Sequence, residues 1–340
     1  MNAPRTEAEL ETRLSEPDDA TIRALASLDG DVVVLGAGGK MGPSLVRMAR
    51  RALASSHRRV IAVSRFHDAT AATALESLGV QVIRADLSDP RAVAALPDAP
   101  NVLWLAGQKF GTSGDPVGTW TQNVVASTHA AERYAGSRIV CFSTGNVYGR
   151  VTLPSEGSRE SDVLRPDGEY AASCIGRERV FQSVAGRTGS PLLLYRLFYA
   201  NDLRYGVVTE IARKVLAGEP VALETAYVNV IWQGDANRLA LRALGETSLD
   251  TVHQPLNVTG PVVGVREIAE RVAHHAGTAV TFSGTEGTEA LIGDVTALAQ
   301  RLPYEASPLD TLCGWAVDWI RDGGRLLSKP TKFEVRDGRF

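Results

Sequence analysis

The stretch VVVLGAGGKMGPSLVRMAR, residues 32–50, constrains the chain more than any other. A short apolar run gives way to four glycines, Gly36, Gly38, Gly39 and Gly42, and then to an amphipathic helical pattern. A strand joined to a helix through such a loop opens a βαβ unit. With no Cβ in the way, main chain here can approach a pyrophosphate. The helix N-terminus adds free N–H groups and a partial positive charge. Lys40 and Met41 lie inside the loop, a place that points Lys40 toward phosphate. The competing reading is a glycine-rich turn that serves close packing alone.

The first two-thirds of the chain repeats this rhythm. DVVVLG (31–36), RVIAVS (59–64), VQVIRAD (80–86), NVLWLAG (101–107), RIVCFS (138–143) and PLLLYRLF (191–198) read as strands. Helical patterns separate them at 43–53, 69–79, 90–96, in one long helix over 120–135, and around Tyr170. Short apolar runs between helices are what a parallel sheet covered on both faces produces. The expected fold is therefore α/β, a doubly wound parallel sheet of Rossmann type with a smaller C-terminal substrate domain. Ligands should sit at the carboxyl ends of its strands.

After about residue 200 the rhythm breaks. VVTEIARKVLAG and REIAERVAHHAG read as helices closed by glycine, and EPVALE, YVNVIW and PLNVTG as short strands. The expected organisation is an N-terminal helical extension over 1–30 and a dinucleotide-binding domain over 31–200, to which 229–258 returns. An interleaved substrate domain follows over 201–325, then an extended polar arm over 326–340. Within the extension, SEPDDATIRALASLDG reads as one capped helix, with Ser15 ahead of Pro17 and Gly30 just past its end.

Composition excludes several classes. At 340 residues, 44% hydrophobic and 22% charged, the chain can bury a sizeable core. A net charge of -3 without a lysine/arginine block argues against a nucleic-acid partner. No apolar stretch approaches the ~20 residues that span a bilayer, and the acidic start lacks a signal-peptide pattern. A cytoplasmic protein with no membrane partner is expected. Cys141, Cys174 and Cys313 are odd in number and far apart, which fits free thiols in a reducing compartment. His274 and His275, adjacent on a helix, point about 100° apart, and no His-Glu-x-x-His or Cys-x-x-Cys occurs, so no metal is expected. The absence of a Gly-x-Ser-x-Gly elbow argues against a serine hydrolase.

The second strand ends in AVSRF. A carboxylate there would bind the adenosine ribose, but Ser64 and Arg65 stand in its place. An arginine can pair with a 2′-phosphate, which favours NADP over NAD, unless Arg65 is only a surface side chain. Asp86 and Leu87 close the third strand. Asp86 either accepts from the adenine amino group or caps the helix at Pro90.

Taken in order, these motifs resemble the extended short-chain dehydrogenase/reductase family, which includes nucleotide-sugar epimerases and dehydratases. GAGGKMG matches its Gly-x-x-Gly-x-x-Gly through Gly36, Gly39 and Gly42. ADLSD matches its third-strand Asp-Leu, and WLAG, with Leu105, Ala106 and Gly107, its fourth-strand motif. Asn123 in QNVVAST matches the asparagine of its fourth helix. FSTGNVYG matches its Ser-Ser/Thr-x-x-Val-Tyr-Gly and so places Thr144 at the catalytic hydroxyl. Tyr170 and Glu178 in YAASCIGRE match its active-site helix. The resemblance implies an NAD(P)-dependent oxidoreductase or epimerase working on a hydroxyl/carbonyl of a small sugar-like or sugar-acid substrate. Tyr170 would be its acid/base, and a homodimer paired through four helices its assembly. Two positions depart from the pattern. Cys174 stands where the family has lysine, and YVNVIWQGDAN carries no arginine before Asp235 in a region that helps hold a substrate diphosphate in the look-alike enzymes.

The missing lysine matters because a phenol titrates near pKa 10, with about 1.4 kcal/mol at stake per unit of lost depression. A neutral thiol supplies no charge and donates weakly. Oxidation suffers most, since Tyr170 must ionise first; reduction suffers least, since the proton is already in place. A slow enzyme, or one biased toward reduction, is expected unless another cation stands in. Lys109 in WLAGQKFGTSG is the leading candidate, just past the fourth strand in a loop with Gly107, Gly111 and Gly114. It either binds or polarises the substrate or is a solvated loop lysine. Thr144 either donates to the substrate oxygen or satisfies a turn, and Tyr148 either packs on the cofactor or fills its turn. A reading of another class is a dinucleotide-binding sensor or scaffold that lost catalysis with its lysine. The presence of both Thr144 and Tyr170 argues against full decay.

Overall fold

The computed structural model describes residues 3–246, 254–327 and 330–335. Seven strands build one parallel sheet: β1 Val32–Leu35, β2 Val60–Ser64, β3 Gln81–Arg84, β4 Asn101–Trp104, β5 Arg138–Thr144, β6 Leu192–Leu197 and β7 Gln254–Val258. Their spatial order is β7-β6-β5-β4-β1-β2-β3, and every pairing is parallel. Chain order reverses between β1 and β4. The loops leaving those two strands diverge to opposite faces and leave a crevice at their carboxyl ends.

The sheet is held by the two-residue alternation of its strands. Val32 and Val34 point into one core with Leu45 and Met48 of the helix Gly42–Ala52 and Leu239 of the helix Gln233–Glu246. Val33 and Leu35 point into the opposite core with Phe181 and Val184 of the helix Gly168–Thr188. All four β1 side chains are fully buried, each contributing about 1.5–3 kcal/mol by leaving water. The expected covering of both faces is incomplete at the β3 edge. At the sheet edge, Gln81 and Arg84 of β3 are exposed.

A second core joins the helices Val207–Leu216, Val265–Ala276 and Leu309–Arg321 to a three-stranded sheet. In that sheet Tyr227–Trp232 lies between Tyr199–Asn201, parallel, and Val262–Gly264, antiparallel. Of EPVALE only Val221–Ala222 forms a strand, paired with Phe282–Ser283. The stretch 254–258 belongs to the large sheet; 247–253 lies outside the described residues.

Three local expectations are corrected. The helix expected within 15–30 is present as Asp19–Ala26 but starts at Asp18, not at Ser15, and a further helix precedes it. Glu7–Leu14 starts at a capping box of Thr6 with Glu9, and Asp19–Ala26 is capped by the Asp18 carboxylate. Ser15 ends the first helix, its hydroxyl donating to the Glu11 carbonyl at 2.6 Å. Leu10 and Leu14 enter the second core and Leu25 the first, so the segment straddles both. The long helix begins earlier, at Pro116, and passes through a π turn at Thr121–Val125 before Ala126–Arg133. The C-terminal arm folds back instead of extending. Phe333 is buried, its carbonyl accepts from Thr225 at 3.2 Å, and the Val335 carbonyl accepts from Arg150 at 2.8 Å. Residues 328–329 and 336–340 of that arm lie outside the described residues.

No helix among the described residues is long and apolar enough to cross a membrane. Cys141, Cys174 and Cys313 are free and buried.

Candidate active site

A cleft of about 760 Å³ opens at the carboxyl ends of β1, β4, β5 and β6. One wall is the glycine loop, where absent side chains make the shape. Gly36 adopts φ +92°, and a Cβ on it would lie 2.4 Å from the Ala106 nitrogen. A Cβ on Gly42 would lie 2.2 Å from the Ala37 carbonyl oxygen. The first glycine lets the β1 and β4 exits touch; the last brings the helix start against the loop. The helix Gly42–Ala52 has no side-chain cap at its N-terminus. A bare cradle at an uncapped helix start suits the phosphates of a dinucleotide.

Gly36, Gly38, Gly39, Lys40, Met41, Gly42, Leu105 and Gly107 all line this cleft. Lys40 does so in an unexpected direction. Its Nζ crosses to the far wall, donating to the Ala200 carbonyl at 3.0 Å and lying 3.8 Å from the Tyr205 ring centre. Enclosure by the walls pushes its pKa down to about 7, with Asp202 opposing the fall. The side chain stays exposed to the cleft, so water offsets part of that enclosure.

The remaining expected cofactor contacts are not among the residues that line the cleft. Ser64 supports the loop: its Oγ lies 2.8 Å from where a Gly38 Cβ would be. Ala106 meets Gly36 through its backbone, and Leu87 is buried in the sheet core. Arg65 faces Asp86 at 4.0 Å, with both side chains nearly half exposed. Such a pair is worth about 0–1 kcal/mol and leaves the guanidinium able to swing. Asp86 accepts from the Ser88 amide at 2.9 Å and hydroxyl at 2.7 Å, which hold its carboxyl below the usual range. The cap of the helix at Pro90 is Asp89, not Asp86.

Asn123 works from inside. Its Oδ1 accepts from the Gln108 amide at 2.7 Å, and its Nδ2 donates to the Gln108 carbonyl at 3.0 Å and to Ser173 Oγ at 2.8 Å. It thereby ties the loop after β4 to the helix Gly168–Thr188. The π turn, in which Asn123 sits, widens the helical run Pro116–Arg133 locally.

Thr144, Tyr170 and Lys109 come from three elements and line the same cleft. Thr144 ends β5, and its Oγ1 accepts from the Asn146 amide at 3.2 Å and Nδ2 at 2.9 Å. Both lone pairs are then engaged, and the hydroxyl hydrogen is the one that Tyr170 receives. The threonine serves its turn and the site together. Tyr170 lies one turn into its helix and shares hydrogen bonds with the Thr144 and Cys174 side chains. Burial pushes its phenol well above the usual range and Cys174 adds to the rise; Arg177 and the Thr144 bond oppose it. Lys109 donates to the Thr331 carbonyl at 3.2 Å, so the C-terminal arm meets the site. Burial lowers its pKa to about 8, against the pull of Glu210 and Cys174.

Behind the site runs a buried polar network. Glu178 accepts from Arg196 Nε at 2.9 Å and Nη2 at 2.7 Å, and its Oε1 also accepts from Ser143 at 2.6 Å. Arg196 donates to the Tyr148 hydroxyl at 2.6 Å, which donates to Asn257 at 2.8 Å. Tyr148 therefore fills its turn and ties β5 to the strands beside it. Arg177, absent from the expectations, sits buried beneath Gly107 and against Cys174. Its seven-residue spacing from Tyr170 was the available signal, since residues at that spacing share a helix face.

Comparison with known proteins agrees with this architecture. Residues 32–246 match the NAD dependent epimerase/dehydratase family. A curated relative, the 2-alkyl-3-oxoalkanoate reductase of Stenotrophomonas maltophilia (strain K279a), is 30% identical over 177 residues. That alignment covers 49% of this chain and 51% of the relative, so the chain spans about half the length of the relative it matches. MoeE5 in complex with UDP-glucose and NAD superposes with a TM-score of 0.67 at 24% identity, over 86% of this chain and 99% of that one. UDP-glucuronic acid 4-epimerase from Bacillus cereus, in complex with NAD, gives 0.68 at 19% identity, over 86% and 98%. At these identities the structures share a fold. With the family match spanning more than half its length, the chain belongs to the NAD dependent epimerase/dehydratase family, whose members of the extended short-chain type are enzymes.

Proposed function

We propose that this protein is an NAD(P)-dependent oxidoreductase that reduces a carbonyl of a small oxo-acid or sugar-like substrate, with Tyr170 as proton donor. The observation that carries the reading is the convergence of Tyr170, Thr144 and Lys109, from three elements, on the cleft that the glycine loop walls. The name of the reductase relative, an enzyme of oxoalkanoates, supports reduction over epimerisation.

The glycine loop and the start of the helix Gly42–Ala52 would hold the dinucleotide phosphates, with Arg65 within reach of a 2′-phosphate. When bound, the reduced nicotinamide supplies hydride to the carbonyl carbon. Thr144 turns its hydroxyl hydrogen from Tyr170 to the bound substrate and orients the carbonyl oxygen, and Tyr170 gives its hydroxyl proton to that oxygen, which becomes the product hydroxyl. A phenol with a raised pKa stays protonated, so the proton that reduction needs is in place, while oxidation would first have to ionise it. Lys109, protonated below about 8, binds or polarises the substrate. A homodimer would pair through the helix pair Pro116–Arg133 and Gly168–Thr188, where Val117, Trp120 and Val125 lie exposed.

The test is purification, detection of bound dinucleotide by mass spectrometry, and a screen of oxo-acids and keto-sugars for NADPH or NADH consumption. Turnover that disappears in Tyr170→Phe supports the reading. Dinucleotide binding with no turnover on any carbonyl, unchanged by Tyr170→Phe, refutes it. Lys109→Ala should lower turnover far more than cofactor affinity; equal turnover removes Lys109 from the mechanism.

A further inference from the structure

Tyr170, Cys174 and Arg177 occupy positions i, i+4 and i+7 of the helix Gly168–Thr188 and share one face. Arg177 is 5% exposed. Its guanidinium donates to the Phe142 carbonyl at 2.8 Å, to Asn123 Oδ1 at 3.0 Å, to the Asn123 carbonyl at 3.4 Å and to Cys174 Sγ at 3.4 Å. All four acceptors are neutral. Glu178, the adjacent carboxylate, is engaged by Arg196 at 2.7 Å. A buried charge with neutral partners alone is costly to keep. The surroundings are nevertheless built for it. A Cβ on Gly107 would lie 2.8 Å from Arg177 Nη2 and 2.9 Å from Asn123 Oδ1, so only glycine leaves the guanidinium its seat.

We propose that Arg177 is a positioning residue that takes over the charge of the missing lysine, holding a positive field on the Tyr170 hydroxyl through Cys174. The inference rests on Tyr170 as the proton-transfer group. The thiol of Cys174 accepts from Arg177 and shares a hydrogen bond with Tyr170, so it links the two while carrying no charge of its own. An arginine suits this place better than a lysine. Its planar fork satisfies three oxygens and a sulfur at once, and it stays charged at every working pH. Of the other charged groups near Tyr170, Lys109 reaches from the loop after β4 and loses its proton above about 8, and Glu178 is neutralised by Arg196. Above that pH Arg177 still carries its charge beside the phenol.

The experiment reads Tyr170 itself. Protein is prepared with 3-fluorotyrosine, the Tyr170 fluorine resonance is assigned by its loss in Tyr170→Phe, and its ionisation is followed against pH. In Arg177→Gln the midpoint should rise by about one pH unit or more; in Arg177→Lys it should stay near wild type. Equal midpoints in wild type and Arg177→Gln, both folded by circular dichroism, overturn the inference. Burial holds the phenol high; where it does not ionise within the range in which the protein stays folded, the fluorine shift of the protonated ring is compared instead, and identical shifts in wild type and Arg177→Gln overturn the inference. Should Arg177→Gln not fold, Cys174→Lys decides. An unchanged midpoint shows that the place of the charge is already taken, and a fall of about one unit overturns the inference. None of these readings needs turnover. Failure of the reductase assignment shows separately, as an absence of carbonyl-dependent NADH or NADPH consumption.

Discussion

Removing the carboxylate at Glu178 tests whether the buried network behind the site stabilises this fold as an ion pair or merely fills space. Glu178 is fully buried and Arg196 is 3% exposed. Glu178→Leu leaves three donor groups without their acceptor: Arg196 Nε, Arg196 Nη2 and the Ser143 hydroxyl. Breaking a buried pair by removing one partner costs about 3–5 kcal/mol. The orphaned Ser143 hydroxyl adds about 1 kcal/mol. Arg196→Met strands the carboxylate instead and should cost about the same as the pair term, about 3–5 kcal/mol. The double variant Glu178→Leu/Arg196→Met strands no charge and should return to within about 2 kcal/mol of wild type. Urea unfolding followed by tryptophan fluorescence gives the three differences, provided the slope with denaturant is unchanged. A double variant as unstable as the sum of the singles would refute the reasoning, because the two side chains would then not be energetically coupled. Ser143 directly precedes Thr144, so the single variants should also lower turnover, the double less so.

Other consequences follow from the same geometry. Gly42→Ala places a Cβ 2.2 Å from the Ala37 carbonyl, a backbone atom that cannot yield, so dinucleotide affinity by calorimetry should fall by about tenfold or more; unchanged affinity would reject the phosphate loop. Lys109, lowered to about 8 chiefly by burial, is charged below that pH, so kcat/KM should fall as pH rises through about 8. Lys109→Arg, charged throughout, should carry the plateau to higher pH, and an identical profile would reject the assignment. Stability runs the other way. The unfolded lysine keeps its proton up to about pH 10.4, so between about 8 and that pH the unfolded chain binds more protons and folding gains stability as pH rises. Arg65→Glu should shift the ratio of kcat/KM for NADPH over NADH by about tenfold or more toward NADH; no shift would leave Arg65 a surface residue.

Much of this protein was legible along the chain because its signals are local. The alternation of apolar runs and amphipathic segments marks the strands and helices of the large sheet, since both periodicities are short-range consequences of backbone geometry. The glycines of the opening loop announce where main chain must be bare. Other features depend on residues far apart in sequence and were decided only by tertiary contacts. Lys40 lies in the glycine loop, yet its ammonium rests on Ala200 and Tyr205, which no local pattern connects to it. The C-terminal arm reads as a polar tail, yet Thr331 meets Lys109 across the cleft. Ser15 and Asp18 are equally good caps by type, and packing of Leu10 and Leu25 into different cores decided where each helix begins. Position 174 spells the loss of a lysine, and the compensating charge at Arg177 has meaning only once Gly107 and Asn123 close around it. Sequence determined the scaffold because hydrogen-bonded periodicity is local; tertiary structure decided the electrostatics of the site because charge acts through space, not along the chain.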